Sequence, residues 1–541
     1  MIGTVPPRTS ARLALIALFA VIVAVAWVRH GPPECASPNA PGSFDGPEAW
    51  QSLVAFVGDG APRDPGSIGH ESAITRLREA AARCGVAFDS QRFMARGWKR
   101  TAVEMHNLFV VVPDARGSTD GPLVLLNAHY DGVPMGPGAG DNAVGVACAL
   151  EILRALKAAP AACPVVVLLS DGEELGLLGA REFAKENPLW KRVVGVVNLD
   201  ARGSDGPVHV FETGAHGSWH AAILAGSDIS SRATSLASEA YQHMPNGTDF
   251  TVFRMAGAPG FNLAFIGSPH NYHTANDTVE RVDPRTLAQM GTDALALVRA
   301  LAAFAHDPQP SCADSAVWFD FYSIAIFWWP SWVSWTALSA CVALLVTALV
   351  RLRAEGMATL GGTILVAWMS TTGLMASVIA GGLLTIAIRT AHPSHWPWPD
   401  GLWAGDLALV AVGFACVTMP VSWISRRRRH RRDELVVAWD DSLGAWGVAA
   451  AVTLVALAFA PGAVHPLLIP LGVASVSGAA LAIARPSRAS PSWVGLAGAG
   501  AFLLMWVPLE GSFVDAFGLS LGGFTAMRGA LLALACRGVL R

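Results

Sequence analysis

Lysine is almost missing from this chain. Lys99, Lys157, Lys185 and Lys191 are the whole set in 541 residues, while arginine and alanine abound, a bias that points to a GC-rich, bacterial genome. Charge of either sign is sparse, with only 15% Asp, Glu, Lys and Arg. Together with a mean hydropathy of +0.42, that argues against one very large soluble helical core and for a soluble domain fused to a membrane domain. The net charge of −3 says little as a sum, because the charges are segregated along the chain. No Cys-x-x-Cys pair occurs among the eight cysteines, which excludes a structural zinc ribbon. Cys341, Cys416 and Cys536 fall in apolar spans, where they are expected to pack. Cys35, Cys84, Cys148, Cys163 and Cys312 belong to the soluble part, and their odd number forbids complete pairing within one chain. Cys35 and Cys312 flank that part, so a clasp between them is one expectation.

Composition divides the chain into three parts. Residues 1–30 form a tip and an apolar span, 31–310 a soluble domain, and 311–541 a membrane domain of about seven helices. The first apolar run, Leu13–Val28, reads as an uncleaved anchor; the alternative is a signal peptide cut at Ala24-Val25-Ala26. In the soluble part, helical spacing covers Glu48–Val57, Glu71–Cys84, Asn142–Ala159, Leu175–Ala184 and Pro284–Ala305. Strands are expected at Val86–Phe93, Val103–Val112, Leu123–Ala128, Val165–Leu169 and Val193–Leu199, with more at Val208–Phe211 and Gly260–Phe265. Continuously apolar strands alternating with helices predict an α/β domain with a mixed, largely parallel central sheet flanked by helices.

The later spans are placed at Ser331–Val350, Leu360–Ile388, Leu402–Ile424, Leu443–Ala460, Leu467–Ala484, Trp493–Val507 and Ala516–Cys536. Eight spans with both termini inside put Arg351/Arg353, Arg426–Arg432, Arg485/Arg488 and Arg537/Arg541 in inside loops, as the positive-inside rule requires. Glu510 and the tryptophan-rich stretch His392–Trp403 then fall outside, and Trp328, Trp329, Trp332 and Trp335 mark an outer aromatic belt with Trp396, Trp398 and Trp403. The basic run Arg426–Arg432 lies between apolar spans, so it reads as a topology determinant or lipid-headgroup contact and not as a nucleic-acid site. Arg528 interrupts the last span; pairing with Asp406 or Asp515, a polar cavity, or a misdrawn span would each account for it.

The chemistry gathers where strands end. Leu123–Ala128 runs into His129-Tyr130-Asp131, then a Gly/Pro-rich loop and Asp141-Asn142. Val165–Leu169 ends in Ser170-Asp171-Gly172-Glu173-Glu174, and Val193–Leu199 in Asp200. Tyr272-His273-Thr274 follows in a polar loop. Singly these are weak signals, since strand-end acids are usually caps or solvated. Together they are strong, because the carboxyl ends of parallel strands face one crevice. Carboxylates crowded there repel unless cations neutralise them. Two histidines and three carboxylates suit two divalent zinc ions, with one shared carboxylate as a bridge.

At these residues the chain resembles the di-zinc exopeptidase family of secreted and vacuolar aminopeptidases. His129-Tyr130-Asp131, Gly138-Ala139-Gly140-Asp141-Asn142, Gly172-Glu173-Glu174, Asn198-Leu199-Asp200, Tyr272-His273-Thr274 and Asp277-Thr278 carry the likeness in order and spacing. The architecture, with Phe211-Glu212-Thr213-Gly214 and Thr248-Asp249-Phe250, is similar to the endoplasmic-reticulum metallopeptidase and vacuolar membrane protease branch. The resemblance implies that Asp141 bridges two zincs, His129 and Asp200 completing one and Glu174 and His273 the other. It implies Glu173 as general base, Asp131 behind His129, Tyr272 on the oxyanion, and a cis peptide at Asp141–Asn142. Asp249 is a supporting candidate without an assigned role. Ala143-Val144-Gly145 departs from the family's usual Ser-Gly and touches no implied ligand.

The reading that follows is a membrane-bound, zinc-dependent aminopeptidase with its substrate peptides and catalytic domain outside the cytoplasm, facing a periplasm or an endomembrane lumen. Rival readings are a single-zinc glutaminyl-cyclase-like acyltransferase, a catalytically dead receptor or scaffold, and a transporter with an accessory domain. Residue preference, oligomeric state and the work of the membrane half are not legible in the sequence.

Overall fold

The computed structural model describes residues 8–28, 31–34, 40–97, 102–244, 246–305, 314–391, 397, 402–484 and 490–539. The chain forms two units, residues 29–330 and residues 1–28 with 331–541.

In the first unit an eight-stranded sheet has the order β1-β2-β4-β3-β5-β8-β6-β7. The strands are β1 (Asp89–Ala95), β2 (Val103–Val112), β3 (Leu123–His129), β4 (Val165–Ser170), β5 (Val193–Ala201), β6 (Asp205–Thr213), β7 (Arg232–Ala233) and β8 (Gly260–Gly267). The central four, β4-β3-β5-β8, are parallel, and antiparallel β2 and β6 flank them. Every residue of β3 and β4 is buried, as apolar runs covered on both faces should be. Their alternate residues enter two cores. Val124, Leu126 and Ala128 pack with helices Gly46–Val57, Gly145–Ala158 and Pro284–Ala303. Leu123 and Leu125 pack with Phe183 and Phe253, on helices Leu178–Glu186 and Asp249–Met255. The expected mixed, largely parallel sheet between helix layers is therefore the observed one.

Three boundaries differ for local reasons. The strand expected from Val86 begins at Asp89, because Gly85 (φ 64°) first turns the chain. The helix expected from Asn142 begins at Gly145, because Asp141 and Asn142 are non-helical. The first unit ends at Pro330 and not at 310. A hairpin of β9 (Ala316–Phe321) and β10 (Ala325–Pro330) adds to it: Ala233 N–H donates to Asp320 (3.0 Å) and Ser235 Oγ to the Trp318 carbonyl (3.0 Å). Trp328 and Trp329 thus lie in this hairpin, directly before the first long apolar helix. Cys35 and Cys312 lie outside the described residues, as do Trp396, Trp398, Arg485, Arg488 and Arg541.

Among the described residues of the second unit, six helices are long and apolar enough to cross a membrane: Ser331–Ala354, Leu360–Ala391, Leu402–Arg429, Glu434–Phe459, His465–Ala484 and Ser492–Phe517. Shorter apolar helices cover Leu13–Ala26 and Gly522–Ala535. The expected span Ala516–Cys536 is corrected, since Gly518 (φ 53°) ends one helix and the next starts at Gly522. Glu510, expected in a loop, lies within Ser492–Phe517. There it meets Arg528 at 2.5 Å, and Arg528 also meets Asp406 at 3.0 Å. Small residues allow close backbone approach: a Cβ on Gly413 would lie 1.6 Å from the Ala526 carbonyl oxygen.

Candidate metal centre

The four parallel strands deliver their chemistry to one edge. His129 is the last residue of β3, Asp200 sits near the end of β5, Glu173 and Glu174 follow β4, and His273 lies in the loop after β8. Asp141 arrives through the loop between β3 and helix Gly145–Ala158. Two groups of potential ligands form, His129–Asp141–Asp200 and Asp141–Glu174–His273, each with donor atoms within 4.8 Å of one another. Asp141 belongs to both. Its Oδ1 is 3.3 Å from His129 Nε2 and its Oδ2 3.0 Å from His273 Nε2. Asp200 Oδ1 is 3.7 Å from His129 Nε2, and Glu174 Oε1 is 3.0 Å from His273 Nε2.

The loop carrying Asp141 is pinned from three sides. Asp277 accepts from the backbone N–H of Gly140 (2.6 Å) and of Asp141 (3.0 Å). Asn142 Nδ2 donates to the Leu199 carbonyl at 2.8 Å, tying the loop to β5. Arg63, only 1% exposed, donates Nε to the Tyr130 carbonyl (2.9 Å) and Nη2 to the Gly138 carbonyl (2.9 Å), with Nη1 on Pro137. It thereby clasps both ends of the segment linking His129 to Asp141. Gly140 is required sterically, since a Cβ would lie 2.3 Å from the Gly203 carbonyl oxygen. The Asp141–Asn142 peptide is cis, as the resemblance implied.

Asp131 is not in either ligand group. Its Oδ1 lies 3.4 Å from His129 Nδ1, and its two oxygens accept from the backbone N–H of Glu173 and Glu174, both at 3.1 Å. One buried carboxylate thus orients the histidine and fixes the turn that presents both glutamates. Tyr272 stacks on His273, ring centroids 3.7 Å apart. Asp249 accepts from Asn127 Nδ2 (3.1 Å) and Ser170 Oγ (2.5 Å), beneath the strand ends. Glu212 of the Phe211–Gly214 stretch meets Arg254 at 2.9 Å and Asn262 at 3.0 Å.

Charge explains what the edge demands. Burial, and then the neighbouring Asp141 charge, push Glu174 up to about 7. Burial lifts Glu173 well above the carboxylate range; His129 opposes this, while Asp200 and Glu174 add to it. Burial also raises Asp200. Burial works the same way on Asp141, but hydrogen bonds from His129 and His273 outweigh it and hold it low. Burial disfavours a charged His273, yet Asp141 and Glu174 pull it up to about 10. His129 is likewise raised by Asp131, Asp141 and Asp200 against its burial. Carboxylates raised by burial beside histidines raised by those carboxylates mark this edge as one that takes up positive charge. Imidazole nitrogens with carboxylate oxygens are the donor set zinc takes, so the residues present fit that metal.

All eight expected residues, His129, Asp131, Asp141, Glu173, Glu174, Asp200, Tyr272 and His273, converge here. Sequence reasoning missed Arg63, a lone arginine in a Pro/Gly-rich loop whose acceptors are backbone carbonyls. It also missed His70, whose Nε2 is 2.9 Å from Asp171 Oδ1 and whose ring stacks on Tyr130.

Residues 110–298 match the family model described as Peptidase family M28. The chain is 33% identical over 217 residues to endoplasmic reticulum metallopeptidase 1 of Mus musculus, covering 38% of this chain and 24% of that protein. It is 30% identical over 244 residues to the vacuolar membrane protease of Candida albicans (strain WO-1), covering 44% and 28%. The chain thus spans about a quarter of the length of these relatives. Among solved structures, an Acidobacteriales bacterium glutaminyl cyclase superposes with a TM-score of 0.40 at 19% identity, covering 50% of this chain and 99% of that one. A leucine aminopeptidase precursor from Bacteroides thetaiotaomicron gives 0.39 at 17% identity, covering 48% and 98%.

Proposed function

We propose, from the match of residues 110–298 to peptidase family M28, that this chain is a membrane-bound zinc aminopeptidase acting outside the cytoplasm. The observation that carries the reading is the pair of ligand groups joined at Asp141. His129 and Asp200 would hold one zinc ion and Glu174 and His273 a second, with Asp141 between them. Zinc held there would supply Lewis acidity, polarising a peptide carbonyl and lowering the pKa of a water.

Glu173 is the general base. Its backbone N–H is held by Asp131 at 3.1 Å, which points the carboxyl at the ligand groups, and burial raises that carboxyl above the ordinary carboxylate range. It takes the proton from the attacking water and returns it to the leaving amine. Tyr272 keeps its phenolic proton, because burial raises it strongly, and so donates a hydrogen bond to the developing oxyanion. Asp131 holds His129 in the tautomer whose Nε2 faces Asp141 and Asp200. Six long apolar helices among the described residues support passage through a lipid bilayer, and the eight-pass reading adds the two shorter ones. The arginines at Arg351, Arg353 and Arg426–Arg432 support an inside location for their loops and an outside one for the catalytic unit.

The test is hydrolysis by the purified full chain of matched peptides with free and blocked amino termini, with and without chelator. The reading expects chelator-sensitive release of single residues from free amino termini only. Equal cleavage of blocked peptides would rule out the aminopeptidase assignment.

A further inference from the structure

The basic run that closes helix Leu402–Arg429 does not act as one block. Arg428 turns inward to Asp440, which also accepts from Thr359 Oγ1 at 2.7 Å. Arg429 lies 3.8 Å from Glu434. Those two arginines are taken up by acids of the same unit. Arg426, Arg427 and His430 are exposed, and with Thr418, Ser422 and Trp423 they line an open cleft of about 420 Å³. Five of these positions fall at helical spacings of four and one on one face of the helix, and His430 follows in the turn just past its end.

The cleft has the layout of an anion site at a membrane boundary. Arg427 lies over the Trp423 ring, 3.8 Å from its centroid, which fixes the guanidinium at the depth of an interfacial aromatic. Ser422 Oγ accepts from Arg537 Nη1 at 3.1 Å. Its own proton is therefore left to donate, with a buried guanidinium behind it; Arg537 is 3% exposed. Below the charged end the same face is apolar and open, with Met419 71% and Trp423 53% exposed. Among the described residues no carboxylate lines the cleft. Cations and a hydroxyl donor above, with exposed apolar surface continuing down the helix, match a phosphate attached to acyl chains better than a free ion.

We propose that this cleft binds the phosphate of an anionic phospholipid headgroup, with Arg426, Arg427, His430 and Ser422 on the phosphate and Met419 and Trp423 against the chains. The site is independent of the metal centre and of the activity assigned to it. Each juxtamembrane arginine facing an anionic headgroup contributes about 1 kcal/mol, roughly a fivefold change in retention.

The test is native mass spectrometry of the full chain in detergent with phosphatidylglycerol or phosphatidylcholine. Inorganic phosphate is added in a separate arm. One molecule of phosphatidylglycerol should be retained about tenfold over phosphatidylcholine. Arg426→Gln with Arg427→Gln should lower that retention roughly 20-fold, while Arg431→Gln with Arg432→Gln, outside the cleft, should leave it within about twofold. Equal retention of the two lipids, or equal loss in both double variants, would overturn the proposal. Displacement of the lipid by millimolar inorganic phosphate would also overturn it, by making the ligand a free anion. If the first double variant is not monodisperse, Arg426→Gln alone carries the test with an expected loss of about fivefold, and no loss counts against the site.

Discussion

At the carboxyl edge of the sheet, Asp131, Asp141, Glu174 and Asp277 act on the buried guanidinium of Arg63, and Glu173, Asp200 and Asp249 lie close by. In the helical unit, by contrast, Asp406 and Glu510 share Arg528, and Asp440 faces Arg428. Both regions bury acids; in the second their partners are arginines, while at the sheet edge, Arg63 aside, they are the histidines of the ligand groups themselves. A buried pair that balances itself can be structural; a cluster that leaves negative charge over asks for an ion from outside. The contrast separates the metal centre from the membrane triad without appeal to relatives. It also makes different mutations costly in different currencies, chemistry at one edge and folding in the other unit.

The largest effect should come from Glu173, which lies in neither ligand group. Glu173→Gln is expected to lower turnover of aminoacyl-amide substrates by roughly 10³–10⁴-fold while zinc content stays unchanged. Wild-type turnover in that variant would sink the assigned mechanism. Next comes the Arg528 triad. Arg528→Leu leaves the buried Asp406 and the half-buried Glu510 without their cation and should destabilise the helical unit by about 3–5 kcal/mol, read as a lowered unfolding temperature in detergent. Turnover per folded molecule should not move. An unchanged unfolding temperature would mean that Asp406 and Glu510 need no partner, and the contrast would fail. Smaller again is Asp131→Asn, which keeps the shape but weakens the hold on His129 and on the Glu173–Glu174 turn. Zinc affinity should fall about 10–100-fold in a chelator competition, with the fold intact.

The first region was much easier to read from sequence than the second. β3, β4 and β5 announce themselves as short apolar runs ending in His129, in Ser170 ahead of Glu173, and in Asp200. That pattern holds because strands buried on both faces tolerate little else. The residues that stabilise the site were hidden for an equally physical reason. Arg63 donates to backbone carbonyls, and a carbonyl has no letter in the sequence. Asp131 was legible as a partner of His129, but its acceptance from two successive backbone N–H groups was not. The β9–β10 hairpin was lost because its tryptophans look like an interfacial belt when read beside an apolar span. A helix bearing an acid at Glu510 reads in sequence as two shorter apolar runs with a loop between them, until Arg528 is placed beside it.

The most direct test of the excess charge at the sheet edge is the zinc content of the purified full chain beside that of Asp141→Asn. Two zinc ions per wild-type chain, with loss of both when Asp141 is neutralised, is the predicted result, because that one carboxylate belongs to both ligand groups. A wild-type chain holding one zinc, or an Asp141→Asn chain that keeps two, would contradict it.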